Sequence, residues 1–336
     1  MRENSVDPFP ASGKSTKPGL TRRAFVGSMG AVVVSAVSGC KDEAPKAVPA
    51  EDPKEPLTII DTHTHFYDPS RTEGVPWPPK DNKVLYRTVR PSEFLTLTKP
   101  FGVAGTVVVE ASPWLEDNQW VLDLMADNPF LLGLVGNLDP GKPAFKAHLT
   151  RFAKKKKFLG IRINRRELSK SIAESGFLDD LRRLADAGRQ VDVVGGPHLL
   201  PDVVRLAQQV PKLRIVLDHL PFDFPGDEKK RQPLERAFDA LENHSNVYAK
   251  VSHVIRRVEG KAVTEMAAYR DKLDRIWRVF GNDRVIYGSN WPVSNLFAPY
   301  RDVITVVRDY VRQHQPQSEE SYFRTNAQRA YRWPGV

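Results

Sequence analysis

The sequence predicts one α/β domain, a (β/α)8 barrel of the TIM type, and three observations point to it. Short apolar runs bounded by turn residues alternate with longer stretches of helical periodicity, and the alternation repeats eight times. The chain has 336 residues, enough for a barrel of about 250. The strands are expected at 57–61, 105–110, 131–137, 159–163, 190–194, 213–218, 246–251 and 284–288. Between them, stretches such as 118–126, 177–187, 200–209, 234–242 and 269–280 carry the apolar spacing of helices packed on a core. The first strand runs into Asp61-Thr62-His63-Thr64-His65 and not into a glycine-rich phosphate turn, which disfavours an open dinucleotide-binding sheet. Segment 71–90, with Pro76, Trp77, Pro78 and Pro79, is expected to be an ordered lid, and 319–333 a closing helix.

The first forty residues are expected to be an address and not part of the fold. Arg22-Arg23, with Phe25 two positions on, resembles a twin-arginine export signal, and the uncharged run 26–39 is too short to span a bilayer. Val37-Ser38-Gly39-Cys40 resembles a lipoprotein cleavage box, so Cys40 is the expected lipidation site. The alternative is an incidental cysteine at the end of an ordinary cleaved signal. Residues 41–56, rich in Pro, Ala, Lys and Glu, read as a tether, leaving 57–336 for the barrel. The expected partners are the twin-arginine export machinery and, through the lipid, a membrane. The expected location is periplasmic or membrane-anchored.

Charge and cysteine content narrow the function. Of the net charge of +9, residues 1–40 carry +3, and the rest is spread thinly apart from the run Lys154 to Lys157 at a helix end. Neither a basic face interleaved with aromatics nor a known nucleic-acid module is present, so no nucleic-acid partner is expected. A single cysteine excludes an intramolecular disulfide and a cysteine-based zinc site.

In such a barrel the chemistry gathers where the strands' carboxyl ends converge. The expected strand ends there present His63 and His65, Glu110, Arg162 and Asn164, Asp218 and His219, Lys250 and His253, and Ser289 and Asn290. A His-x-His pair at a strand end can hold one divalent ion with two neutral imidazoles, and His219 supplies a third. The alternative is that these histidines bond to loops or fill the core. Trp77, Trp114 and Trp291 are candidates to stack on a sugar face, with packing as the alternative, favoured for Trp114. His198 reads as a loop or helix-capping residue, and His148, His244 and His314 as surface residues.

Five strings carry a resemblance: Ile60-Asp61-Thr62-His63-Thr64-His65-Phe66, Gly160-Ile161-Arg162, Ile215-Val216-Leu217-Asp218-His219-Leu220, Val247-Tyr248-Ala249-Lys250-Val251-Ser252 and Tyr287-Gly288-Ser289-Asn290-Trp291-Pro292. Over residues 57–335 the chain resembles the amidohydrolase-2 family, in particular its sugar-acid lactonase-like branch. The resemblance implies an amidohydrolase-type barrel in which His63, His65 and His219 surround a metal or the substrate carbonyl. It also implies an aspartate at the end of strand eight that takes a proton from the attacking water, and here that position is Asn290. An amide can coordinate or accept a hydrogen bond but cannot serve as a general base near neutral pH.

Three accounts follow. Glu110 replaces the missing carboxylate, with a salt bridge to Arg162 or Lys250 as its alternative role; or a metal-bound water needs little help; or the fold binds a sugar acid without turnover. The expected function is a hydrolase opening a sugar-acid lactone or similar cyclic ester. A divalent ion, zinc or manganese, sits on His63, His65 and His219, with a metal-free site as the alternative. Arg162 and Lys250 orient the small-molecule substrate, with pairing to Glu110, Asp192 or Asp218 inside the mouth as their alternative role, Trp77 and Trp291 contact it, and Asn290 hydrogen-bonds or coordinates weakly. The rivals are a non-oxidative decarboxylase and an anchored sugar-acid-binding protein.

Overall fold

The computed structural model describes residues 57–163, 168–174, 176–220 and 223–334. The expected export signal, Cys40, the expected tether and Asn164 lie outside the described residues. Eight strands form one parallel sheet in chain order: Ile59–Thr64, Val103–Val109, Leu131–Gly136, Phe158–Ile163, Gln190–Val193, Ile215–Leu220, Val247–Val251 and Val285–Tyr287. The eighth meets the first through the parallel bridge Thr64–Trp291, where His65 N–H donates to the Trp291 carbonyl over 2.9 Å. The expected barrel is therefore the observed one. Among the described residues, no helix is long and apolar enough to cross a membrane.

Each strand hands over to a helix whose apolar face covers the sheet. Helix Phe177–Asp186 buries Phe177, Leu181 and Leu184, a spacing of four and three that keeps one face inward, and Asp179 and Asp180 sit in its positive first turn. Helix Tyr300–His314 buries Tyr300, Val303, Ile304, Val307, Tyr310 and Val311 and places Arg312 and His314 in its last turn, where the dipole favours cations. Each such valine or isoleucine contributes about 1.5–3 kcal/mol over an exposed one. The helices and outward strand residues form the larger core, while Ile60, Val107, Val109, Val135, Leu159, Val216 and Ile286 fill the barrel.

The closing segment differs from the single helix expected. It is a π-helical turn, Ser321–Thr325, followed by helix Asn326–Tyr331. Ala327, Ala330, Tyr331 and Trp333 join the interior cluster, so this segment packs against the barrel's inner core. Asn326 Nδ2 donates to the carbonyls of Asn282 (2.7 Å) and Val285 (3.0 Å), which fixes it there. The lid has little regular structure, yet it is tied down. Tyr67 donates its hydroxyl to the Leu85 carbonyl over 2.8 Å, and Asp68 accepts from Ser70, Thr88 and Arg90.

Candidate active site

The first strand continues past the expected Asp61 to Thr64, and this sets the histidines. Strict alternation would put Asp61, His63 and His65 on one face. Instead the register with the second strand shifts between Asp61 and Thr64, and Asp61 Oδ1 accepts the N–H groups of His63 (3.1 Å) and Ser289 (2.9 Å). Asp61 also accepts from the Tyr300 hydroxyl on the last long helix, while His63 turns to the other imidazoles. Burial pushes Asp61 up to about 6, against the hydrogen bonds from Ser289, His63 and Tyr300.

His63 and His219 have ring centroids 4.6 Å apart, His63 and His65 5.0 Å, and His219 and His253 5.7 Å. Neighbouring strand residues point to opposite faces, so Asp218 and His219 would ordinarily diverge. A left-handed backbone at His219 (φ +64°) breaks the alternation. As a result His63, Asp218 and His219 each offer a ligand atom within 4.8 Å of the others. His65 lies beside this group, its Nε2 3.2 Å from Asn290 Oδ1.

The donor set fits a divalent ion. His63 Nε2 is buried with no hydrogen-bond partner among the described residues, an arrangement that a bound cation would relieve. The His219 Nδ1 is 2.9 Å from Ser252 Oγ, and the His65 Nδ1 is 2.9 Å from the Val109 carbonyl. A carbonyl only accepts, so His65 carries its proton on Nδ1 and presents a lone pair on Nε2. That lone pair faces the oxygen of Asn290, and two acceptors this close repel unless they share a cation. Orientation of a ligating imidazole through its other nitrogen is the usual support of a metal site.

The imidazoles are held neutral. Burial pushes His65 down to about 4. Burial, then the Lys250 charge, holds His63 well below its ordinary value, and burial, then His63, does the same for His219. A lowered pKa means that no proton competes with an ion until the solution is more acidic than the folded value. Zinc affinity is therefore expected to fall less than about tenfold between pH 7.5 and 5, whereas three ordinary histidines would lose roughly four powers of ten. Chelator competition across that range checks it, and the steeper loss would contradict the neutral cluster.

Beneath the histidines lies a charged floor. Lys250, fully buried, donates to Asp192 Oδ2 over 2.7 Å, while its Nζ lies 2.8 Å from Asp218 Oδ1 and 3.4 Å from His63 Nδ1. The contact with Asp218 is an ion pair without the directional hydrogen bond that Asp192 receives. Burial would raise both carboxylates. Lys250, together with His219 and Arg162, outweighs it at Asp218, whose pKa is lowered, while Asp192 remains pushed up to about 7. Tyr331 of the closing helix donates to Asp192 Oδ2 over 2.9 Å, which links the barrel's inner core to the site.

The structure sorts the remaining residues expected at the site. Arg162 clasps Glu110, Nε to Oε1 over 2.7 Å and Nη2 to the Glu110 carbonyl over 2.8 Å, with both side chains slightly exposed. Glu110 thus takes the salt-bridged arrangement. Lys250 points into the floor and not toward an opening. Trp291 is 1% exposed and packs on Phe94 (5.0 Å) and Phe66 (6.0 Å), which places it in the core, away from any sugar face. Trp77 of the lid lies 5.9 Å from the His65 ring, and Trp114 and His198 are exposed. Sequence reasoning did not offer Asp218 as a candidate ligand and missed Tyr331 altogether. The signal for Asp218 was its adjacency to His219, masked by alternation; for Tyr331 there was none.

Comparison with known proteins gives the family. A family model described as amidohydrolase matches residues 60–333. The L-fucono-1,5-lactonase of Burkholderia ambifaria is 30% identical over 249 residues, covering 72% of this chain and 83% of that protein. Among solved structures, an amidohydrolase from Burkholderia multivorans with bound zinc has a TM-score of 0.72 at 21% identity, covering 82% of this chain and all of that one. A 5-carboxyvanillate decarboxylase from Novosphingobium aromaticivorans, complexed with manganese, has a TM-score of 0.58 at 16% identity, covering 82% of this chain and 96% of that one. The chain is an enzyme of the amidohydrolase family.

Proposed function

We propose that the chain hydrolyses a lactone of a sugar acid, using a divalent ion held by His63, His65 and His219, with Asp218 and Asn290 Oδ1 beside them. The reading rests above all on the 30% identity to a relative named L-fucono-1,5-lactonase, which spans 72% of this chain. The buried donor set supports it from this chain's own geometry. A divalent ion at such a site polarises a carbonyl and makes water acidic enough to attack near neutral pH.

The protein's own groups do the rest. The Arg162 guanidinium, although clasped to Glu110, has donors left for a substrate carboxylate or ring oxygen. Glu110, a partly exposed carboxylate just past the second strand, serves as proton acceptor when substrate draws Arg162 away. Lys250 holds Asp218 ionised, and Trp77 covers His65 and limits water. Asn290 cannot take a proton, so the base is not at the end of strand eight.

A panel of sugar-acid lactones, tested beside aromatic carboxylic acids on the protein lacking residues 1–40, separates the readings. Lactone opening is the expected result. Loss of carbon dioxide from the acids would make the chain a decarboxylase, and tight binding of a sugar acid without turnover would make it a binding protein, which Asn290 alone would favour.

We further propose that the enzyme works after twin-arginine export, lipidated at Cys40, on the strength of Arg22-Arg23 and Val37-Ser38-Gly39-Cys40. Labelled palmitate incorporated by the full chain and absent from Cys40→Ala is the expected result; no incorporation in either would refute lipidation.

A further inference from the structure

We propose that His253 is a positioning residue that decides which end of the Asn290 amide faces the metal site. A carboxylate at position 290 would present oxygen whichever way it turned. An amide has a wrong end: turned over, its NH2 group would point hydrogens at the cation and cap the His65 lone pair. Something must therefore hold Asn290 one way round.

The side chain that does so is His253, just beyond the seventh strand. Asn290 Nδ2 lies 3.1 Å from His253 Nδ1, while Asn290 Oδ1 lies 3.2 Å from His65 Nε2. With a lone pair on Nδ1, His253 accepts the amide N–H and leaves the oxygen on the side of His65. With a proton on Nδ1 it would favour the opposite orientation. The His253 ring is itself fixed, standing edge-on to Phe297 with centroids 4.5 Å apart, and it is 6% exposed. Both residues adopt left-handed backbone, φ +54° at His253 and +62° at Asn290. This is an uncommon conformation for any residue but glycine, tolerated best by asparagine and by a few others including histidine. Here it brings two side chains from different strand ends into one contact.

The inference rests on the metal reading above, so its test reads zinc binding without substrate and is independent of what the enzyme hydrolyses. Zinc affinity is measured by chelator competition, with circular dichroism confirming the fold, for the parent, His253→Leu, His253→Asn, Asn290→Asp and the double variant Asn290→Asp with His253→Leu. His253→Leu removes the acceptor and is expected to weaken zinc binding by about 10–100-fold, the usual effect of losing a group that orients a ligand. His253→Asn can place an oxygen where Nδ1 stood and is expected to stay within about threefold of the parent. In the Asn290→Asp background, where both ends of the side chain are oxygen, His253→Leu is expected to cost less than about threefold, because no orientation remains to be set. An equal loss in both backgrounds would show that His253 merely supports the structure. An unchanged affinity in His253→Leu, or a parent that binds no zinc, would overturn the proposal outright.

Discussion

Replacing His63 by glutamine is expected to strip the protein of its metal. Purified parent, dialysed exhaustively, should retain close to one equivalent of divalent ion, and His63→Gln less than about a tenth of that, by mass spectrometry of the metal. His63 is fully buried, its Nε2 has no other partner among the described residues, and the neighbouring imidazoles are each oriented through Nδ1, His65 on the Val109 carbonyl and His219 on Ser252. Groups that only orient a ligand cost 10–100-fold in affinity or activity when removed, so losing the ligand itself should lower lactone hydrolysis by at least about a thousandfold. The fold should survive, because a neutral imidazole is replaced by a neutral amide of similar reach. Full metal retention in His63→Gln, with the helix and strand content of the parent, would refute the assignment.

The barrel was legible because its evidence is periodic. Eight apolar runs at strand length, separated by amphipathic helices, leave few other topologies, and observed bounds differ from the expected ones by a few residues. His63, His65 and His219 stood out because a His-x-His pair and a third imidazole fall at the strand ends where a barrel gathers its chemistry. The failures come where the backbone departs from the repeat on which sequence reasoning relies. The register shift after Asp61 sends that carboxylate toward Tyr300, and the left-handed turn at His219 brings Asp218 to the same side as its neighbour. Trp291 follows Asn290 in the chain yet packs behind the first strand on Phe94, so proximity in sequence misled. Tyr331 could not be placed at all, since only the packing of the last helix against the barrel interior brings it to Asp192. Lys250 and Arg162 look alike at strand ends, and only the carboxylates around each distinguish a floor cation from one near the surface.

That floor cation gives the largest expected effect on stability. Lys250→Met removes a charge lodged between Asp192 and Asp218 and leaves two fully buried carboxylates facing one another. Breaking a buried ion pair from one side costs about 3–5 kcal/mol, and in a domain of this size that corresponds to a fall in Tm of roughly 10 °C. The pH dependence carries its own sign. Burial already pushes Asp192 up to about 7 against the pull of Lys250, and without that pull its folded value must rise further above the unfolded one. A carboxyl whose folded pKa is raised binds more protons folded than unfolded, so its unfavourable effect grows as the pH rises from about 4 to the folded value. The deficit of Lys250→Met relative to the parent should therefore be smaller at pH 5.5 than at pH 8, and adding Asp192→Asn, which removes one of the stranded charges, should recover part of it at pH 8. Thermal unfolding of the three proteins at the two pH values measures this. A Tm within about 2 °C of the parent in Lys250→Met would mean that the carboxylates do not depend on the lysine, and the ionised Asp218 on which the metal site leans would need another source of charge.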